Sequence, residues 1–220
     1  MLKRSLVLLA VALPILFAQP QTPPAAKPES ADERREKQQK VAEIIEALGI
    51  SEGSKAADVG AGSGFIAARI ARKAGKSGQV YAVDIDAGAI RQLKRMVKKQ
   101  SLSNMTVVHS EPADPKLPPS ALDSVLMVIT YHEVVPYQEM LRHLLASLKP
   151  GGRMVVVDQM PQRTRQRPRA DQIKNHVMAP ELAEAEFRAA GFEIVVRQDD
   201  FVDRPDEETS RWMIVCRRPT

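Results

Sequence analysis

Apolar residues recur along this chain in two alternating rhythms. Val41, Ile44, Ile45 and Leu48 stand three and four places apart, the spacing that lines up along one helical face. They predict one helix from Ser30 or Asp32, either of which can cap it, to about Leu48. Asp32 and Glu33 suit its positive end, and Gly49 stops it. A short apolar run at 55–59 comes next, then a helix over 65–73 closed by Gly75. The next pair is a strand over 79–83 and a helix over 87–99 with Ile90, Leu93 and Val97 on one face. A third strand covers 105–109. Residues 122–129 are almost continuously apolar, as suits a central strand buried on both faces. A helix over 137–148 ends at Lys149-Pro150-Gly151-Gly152, and a fifth strand covers 153–157 with Asp158 at its end. After a long connection to about 179, Pro180 starts a helix over 181–190 that Gly191 stops. The last strands, 192–198 and 211–217, form an antiparallel pair. Strands alternating with helices predict an α/β chain whose mostly parallel sheet is covered on both faces.

Ligands bind such sheets outside the carboxyl ends of the strands. The positions to inspect therefore come after Val59, Val83, His109, Ile129 and Val157. After Val59 the chain reads Gly60-Ala61-Gly62-Ser63-Gly64, with Asp58 just before it. A dinucleotide fingerprint would carry its third glycine one place later, leaving room for a diphosphate at the helix N-terminus. Here the early Gly64 and the acidic Asp58 disfavour a diphosphate and suit a cationic amino acid or a sulfonium. After Val83 come Asp84-Ile85-Asp86. Asp84 is placed to accept hydrogen bonds from both hydroxyls of a ribose, while Asp86 is read as the cap of the helix at 87. Together these point to an adenosine-containing cofactor.

Composition narrows the class. With 220 residues, 44% hydrophobic and 27% charged, the chain can bury the core of one α/β domain. The formal charge of +5 falls to +3 once Lys3 and Arg4 leave with residues 1–18, and no long basic block argues for nucleic acid. Arg163, Arg165, Arg167 and Arg169 are read as a solvated loop first and as an anionic-substrate loop second. The single Cys216 excludes an internal disulfide and a cysteine-based metal site. Lys3 and Arg4 before the apolar residues 6–18 predict a secretory signal or an N-terminal anchor over 1–18. This is short for a spanning helix, so any membrane contact is expected only through that segment left uncleaved. Pro20, Pro23, Pro24 and Pro28 make 19–31 an extended, disordered tether, which leaves 32–220 as the folded domain.

On these motifs the chain resembles the class I S-adenosylmethionine-dependent methyltransferases. The resemblance runs over about 38–217. It rests on Asp58-Val59-Gly60-Ala61-Gly62-Ser63-Gly64, on Val83-Asp84-Ile85-Asp86, on Leu122-Asp123-Ser124-Val125-Leu126-Met127-Val128 and on Leu148-Lys149-Pro150-Gly151-Gly152-Arg153. The branch it is most similar to contains quinone-biosynthesis and arsenite-methylating enzymes. The resemblance implies a three-layer, Rossmann-like, seven-stranded mostly parallel sheet with an antiparallel last strand. It implies S-adenosylmethionine as cofactor and a small-molecule acceptor. Cofactor contacts are expected from Asp58, Gly60, Ala61, Gly62, Ser63, Gly64, Asp84, Ile85 and Thr130. Glu111, beside Pro112, is expected to meet the adenine amine, with Asp114 as its competitor.

The acceptor is expected at Thr130-Tyr131-His132-Glu133. There the family often carries an aromatic or a histidine pair; Tyr131 and His132 match, and Glu133 replaces a second histidine. His132 or Tyr131 is assigned to orient or deprotonate the acceptor, His132 having a suitable ordinary pKa. Asp158, His176 and Tyr137 are weaker candidates, and no metal is expected. Two other readings stand beside this one. A nicotinamide-dependent oxidoreductase is disfavoured by the glycine spacing and Asp58. A non-catalytic exported binding protein has a motive, since S-adenosylmethionine is made in the cytoplasm while 1–18 point outward.

Overall fold

The computed structural model describes residues 29–160, 164–202 and 210–220. The expected leader at 1–18, nearly all of the expected tether, and Arg163 lie outside the described residues. Seven strands form one sheet in the order β3-β2-β1-β4-β5-β7-β6. They are β1 (Lys55–Val59), β2 (Gln79–Asp84), β3 (Met105–His109), β4 (Leu122–Val128), β5 (Leu148–Gln159), β6 (Glu193–Val202) and β7 (Arg211–Arg217). Five run parallel from β3 to β5, and β7 lies antiparallel to both β5 and β6. The expected fold class holds.

Helices cover both faces. On one side α2 (Val41–Leu48), α3 (Phe65–Ala74) and α4 (Ala87–Gln100) pack their apolar stripes, including Ile44, Ile70 and Leu93, against Ala56, Ala82 and Leu126. On the other, α5 (Tyr137–Ser147) and α7 (Pro180–Ala189) enclose Leu141, Leu144 and Phe187 with Val125, Met127 and Trp212. Trp212 packs as expected, its indole donating to the Met178 carbonyl at 2.7 Å. Met160 and Met178 are buried packing residues.

Several boundaries differ from the sequence reading. The expected first helix is two, α1 (Ala31–Gln38) and α2, broken where Lys40 turns left-handed at φ 49°. No glycine or proline announces that break. Ser30, not Asp32, is the cap, in a reciprocal capping box with Glu33. Asp86 caps α4 by accepting from the Ala89 amide at 2.7 Å. Strand β5 begins at Leu148 rather than 153, because Leu122 pairs with Leu148 and the ladder resumes at Ser124 and Arg153. The intervening Lys149-Pro150-Gly151-Gly152 is absorbed as an irregularity. At its other end β5 runs on to Gln159, so Asp158 lies inside the strand, opposite Trp212. The long connection after β5 holds a short helix, α6 (Arg169–Ile173).

Candidate active site

A cleft of about 290 Å³ opens at the carboxyl ends of β1, β2, β3 and β4, at the lower end of ordinary ligand pockets, roughly 300–1,000 Å³. Val59, Gly60, Asp84 and Ile85 form one side, Ser110, Glu111 and Pro112 the second, and Ile129, Thr130 and Glu133 to Val135 the third. Sheet topology makes this the crevice, since β1 separates the crossover through β2 and β3 from the one through β4 and β5.

The glycine turn divides into parts with different work. Gly60 has φ 78°, and a β-carbon there would stand 2.3 Å from Thr130 Oγ1. Only glycine lets the ends of β1 and β4 approach this closely. Gly64 also has positive φ, but its β-carbon would strike Met96 and Leu93 on α4. Its role is helix packing, and it does not line the cleft. A side chain on Gly62 would meet open space, while its amide donates to Asp84 Oδ2 at 2.8 Å. The Asp86 amide donates to Asp84 Oδ1 at 3.0 Å. Both carboxylate oxygens are thus held in place, and each keeps a lone pair for a ligand. Ala61 and Ser63 are half-buried in the turn and outside the cleft lining.

Asp58 is placed differently from the expectation. It is buried beneath the turn, off the cleft lining, and accepts from the Ala67 amide. Gly64 offers α3 no side-chain cap, so Asp58 serves as the cap from β1. Burial pushes its carboxyl up to about 7; the Ala67 amide opposes this and nearby Asp84 adds to it.

Glu111 and Pro112 do line the cleft, as does Ser110 just before them. Glu111 pairs with Lys116 at 2.7 Å. Asp114, its competitor, accepts from the Lys116 amide and lies off the lining. Ile129 is β-branched yet has φ 52°, a strained geometry at the cleft wall.

The acceptor side requires two corrections. Tyr131 is fully buried and off the cleft lining. Its hydroxyl donates to Glu186, Arg169 lies 3.0 Å from Glu186, and the phenol's pKa is raised, chiefly by burial. The ring packs edge-on against Phe187. Tyr131 therefore ties its turn to α6 and α7, away from the cleft lining. His132 is also buried, 1% exposed. Its backbone amide donates to Asp158 Oδ2 at 3.0 Å and its Nδ1 to Asp158 Oδ1 at 2.7 Å. A carboxylate only accepts, so Nδ1 carries the proton and Nε2 is directed elsewhere. Nε2 faces Glu133 Oε1 at 3.6 Å, and Glu133 is the group that reaches the cleft. Burial works to lower the His132 pKa, but Asp158 and Glu133 outweigh it and the net direction is up.

His176 joins this cluster across a long gap in sequence, its Nδ1 3.5 Å from Glu133 Oε1. Sequence offers His176 only as a weaker candidate, and its nearness to Glu133 comes from the fold. Of the arginine loop, Arg169 also donates to the Val134 carbonyl and lies over Tyr137. Arg165 pairs with Glu181 and Asp199. Arg169 is a structural tie, while Arg165 and Arg167 are exposed, as a solvated loop would have them.

Comparison with known proteins agrees with this geometry. The methyltransferase domain family matches residues 56–152. Over 115 residues the chain is 29% identical to the ubiquinone/menaquinone biosynthesis C-methyltransferase of Pseudomonas entomophila, covering 52% of this chain and 45% of that protein. The chain spans about half the length of the curated relatives it matches. A solved S-adenosylmethionine-dependent methyltransferase from Aquifex aeolicus superposes with a TM-score of 0.72 at 21% identity, over 85% of this chain and 94% of that one. A possible exported protein from Bordetella parapertussis superposes at 0.62 and 17%, over 85% and 68%. Residues 56–152 are thus a methyltransferase domain, on the class I S-adenosylmethionine-dependent methyltransferase fold.

Proposed function

We propose that this chain transfers a methyl group from S-adenosylmethionine to a small-molecule acceptor in the cleft above β1 and β4. The observation that carries the reading is Asp84, a carboxylate fixed by two backbone amides and lining the cleft beside Gly60. Fixed acceptors of this kind favour a ribose, because their orientation is set before the ligand arrives. The exposed Ile85 and the Ser110 to Pro112 wall suit a flat base next to it. Gly60 and Gly62 leave room for the amino-acid end.

The bound cofactor supplies a methyl group made electrophilic by a sulfonium. The chain's part is alignment and water exclusion. Val134, Val135 and Met140 give the acceptor side an apolar wall, and Glu133 is its ionisable group, with His132 and Asp158 behind it. An acceptor with an apolar body and one polar reactive atom fits such a wall. The demethylmenaquinone in one curated relative's name supplies such an apolar body, which supports the class without fixing the molecule.

Calorimetry with S-adenosylmethionine tests the reading, with a nicotinamide dinucleotide as the control. Binding of the first and not the second is expected. A folded chain that binds neither overturns the proposal. We also propose that the domain is exported. Residues 1–18 support this. Fractionation of cells making the full chain tests it; a purely cytoplasmic product overturns it.

A further inference from the structure

We propose that His132, Glu133 and His176 bind a divalent transition metal ion, of the zinc type, at the acceptor edge of the cleft. Their candidate ligand atoms lie within 4.8 Å of one another. Two imidazoles and one carboxylate are a donor set for zinc, cobalt, nickel or iron(II), and a poor one for magnesium or calcium.

Three independent features favour ligation over a chance cluster. First, Asp158 takes the Nδ1 proton of His132, which fixes the tautomer that leaves Nε2 to bind metal. A carboxylate behind a ligating histidine is the usual outer support of such sites. Second, His176 holds a left-handed backbone at φ 53°. It is pinned on both sides: its amide donates to the Ile173 carbonyl, and the Met178 amide to the Gln159 carbonyl. The buried Gln172 clamps the same loop, accepting from the Ala179 amide and donating to the Arg167 carbonyl. The His176 side chain is exposed, but the backbone that carries it is held by these ties. Third, the two imidazoles meet at 87° with centroids 5.8 Å apart and Glu133 between them.

Three protein ligands leave coordination positions open, as catalytic rather than structural sites do. Glu133 lines the cleft, so those positions border the acceptor. A metal there selects acceptors with an ionisable hydroxyl or thiol, because coordination makes such a group a stronger acid. This last step rests on the methyltransferase reading; metal binding itself does not.

The test uses the full chain without an affinity tag, stripped with chelator and titrated with zinc against a chromophoric competitor. One equivalent should bind tightly. His176→Ala and Glu133→Gln, both at exposed positions outside the core, should each weaken zinc at least tenfold. Asp158→Asn should weaken it about 10–100-fold through His132 alone. Cobalt(II) should give visible absorption bands that His176→Ala removes. Wild-type uptake no greater than that of the His176→Ala/Glu133→Gln double variant, in folded protein, overturns the site. S-adenosylmethionine calorimetry on the same samples separates the claims. Cofactor binding without zinc uptake removes only the metal, and zinc uptake without cofactor binding removes only the methyltransferase reading.

Discussion

The Asp158 carboxylate grips His132 twice, through its backbone amide at 3.0 Å and its Nδ1 at 2.7 Å, and both residues are buried. Removing one partner of a buried pair leaves the other uncompensated, at a cost of about 3–5 kcal/mol. Asp158→Asn should destabilise on that scale, measured by urea unfolding at pH 6. The His132 pKa is raised above its ordinary 6.5. The pair's stabilisation is therefore complete below pH 6.5 and is lost as pH rises through the folded value. The gap between wild type and Asp158→Asn should narrow as pH rises past that point. A gap constant from pH 5 to 9 would mean that His132 does not titrate with Asp158.

Asp84→Ala should weaken S-adenosylmethionine by about 1.5–3 kcal/mol, the worth of a hydrogen bond to a charged group. In calorimetry that is roughly a tenfold to 150-fold rise in Kd. The same change frees the Gly62 amide, so the loss should come with altered exchange of that amide. Unchanged affinity would remove the ribose contact from the proposal.

Asp58 should make the domain less stable as pH rises. Its folded pKa is raised to about 7 from 3.8, so the native state holds a proton that the unfolded chain has released. Stability falls between about pH 4 and 7 and levels off above. The shift corresponds to at most ~4 kcal/mol, by about 1.4 kcal/mol for each pKa unit. Asp58→Asn keeps an oxygen for the Ala67 amide and removes the charge. Relative to wild type it should gain stability between pH 4 and pH 8. Parallel urea curves at both pH values would show that the carboxyl titrates normally.

The strand ends that build the cleft were legible in the sequence because they rest on local signals. Apolar runs locate β1, β2 and β4, and the glycines and Asp84 mark the turns at their carboxyl ends. Even there, sequence placed Asp58 and Gly64 on the ligand, whereas the fold turns one under α3 and the other onto α4. The acceptor side was legible in position, and the directions of its side chains were not. Tyr131, His132 and Glu133 are adjacent, yet a single 3-10 turn sends their side chains to Glu186, to Asp158 and to the cleft. A tight turn has no fixed two-residue or four-residue period from which to read direction. The partners Glu186 and His176 come from distant segments that only tertiary packing brings near.

Tyr131→Phe separates an anchoring role from a ligand role. It deletes the hydrogen bond to Glu186 and leaves a buried carboxylate with Arg169 alone. The expected cost is about 1–3 kcal/mol, that of an unsatisfied buried group. S-adenosylmethionine affinity should be unchanged in the folded variant. Loss of cofactor or acceptor binding without loss of stability would return Tyr131 to the site.

Gly60→Ala probes how closely β1 and β4 must meet. The new methyl would stand 2.3 Å from Thr130 Oγ1 and 2.5 Å from its Cγ2, on a backbone at φ 78°. The left-handed backbone costs an alanine about 1–2 kcal/mol. Overpacking adds about 1–3 kcal/mol, or shifts Thr130 instead. Because Thr130 lines the cleft, that shift should weaken cofactor as well as stability. Thr130→Ala removes the two closest of the three clashing atoms and leaves Cβ, at 2.9 Å. In the double variant it should recover most of the packing share of the loss and none of the backbone share. The two can be separated by a double-mutant cycle on urea midpoints, where a coupling of about 1 kcal/mol or more is expected for residues in contact. Strict additivity would mean that the approach of Gly60 to Thr130 does not set the width of the cleft.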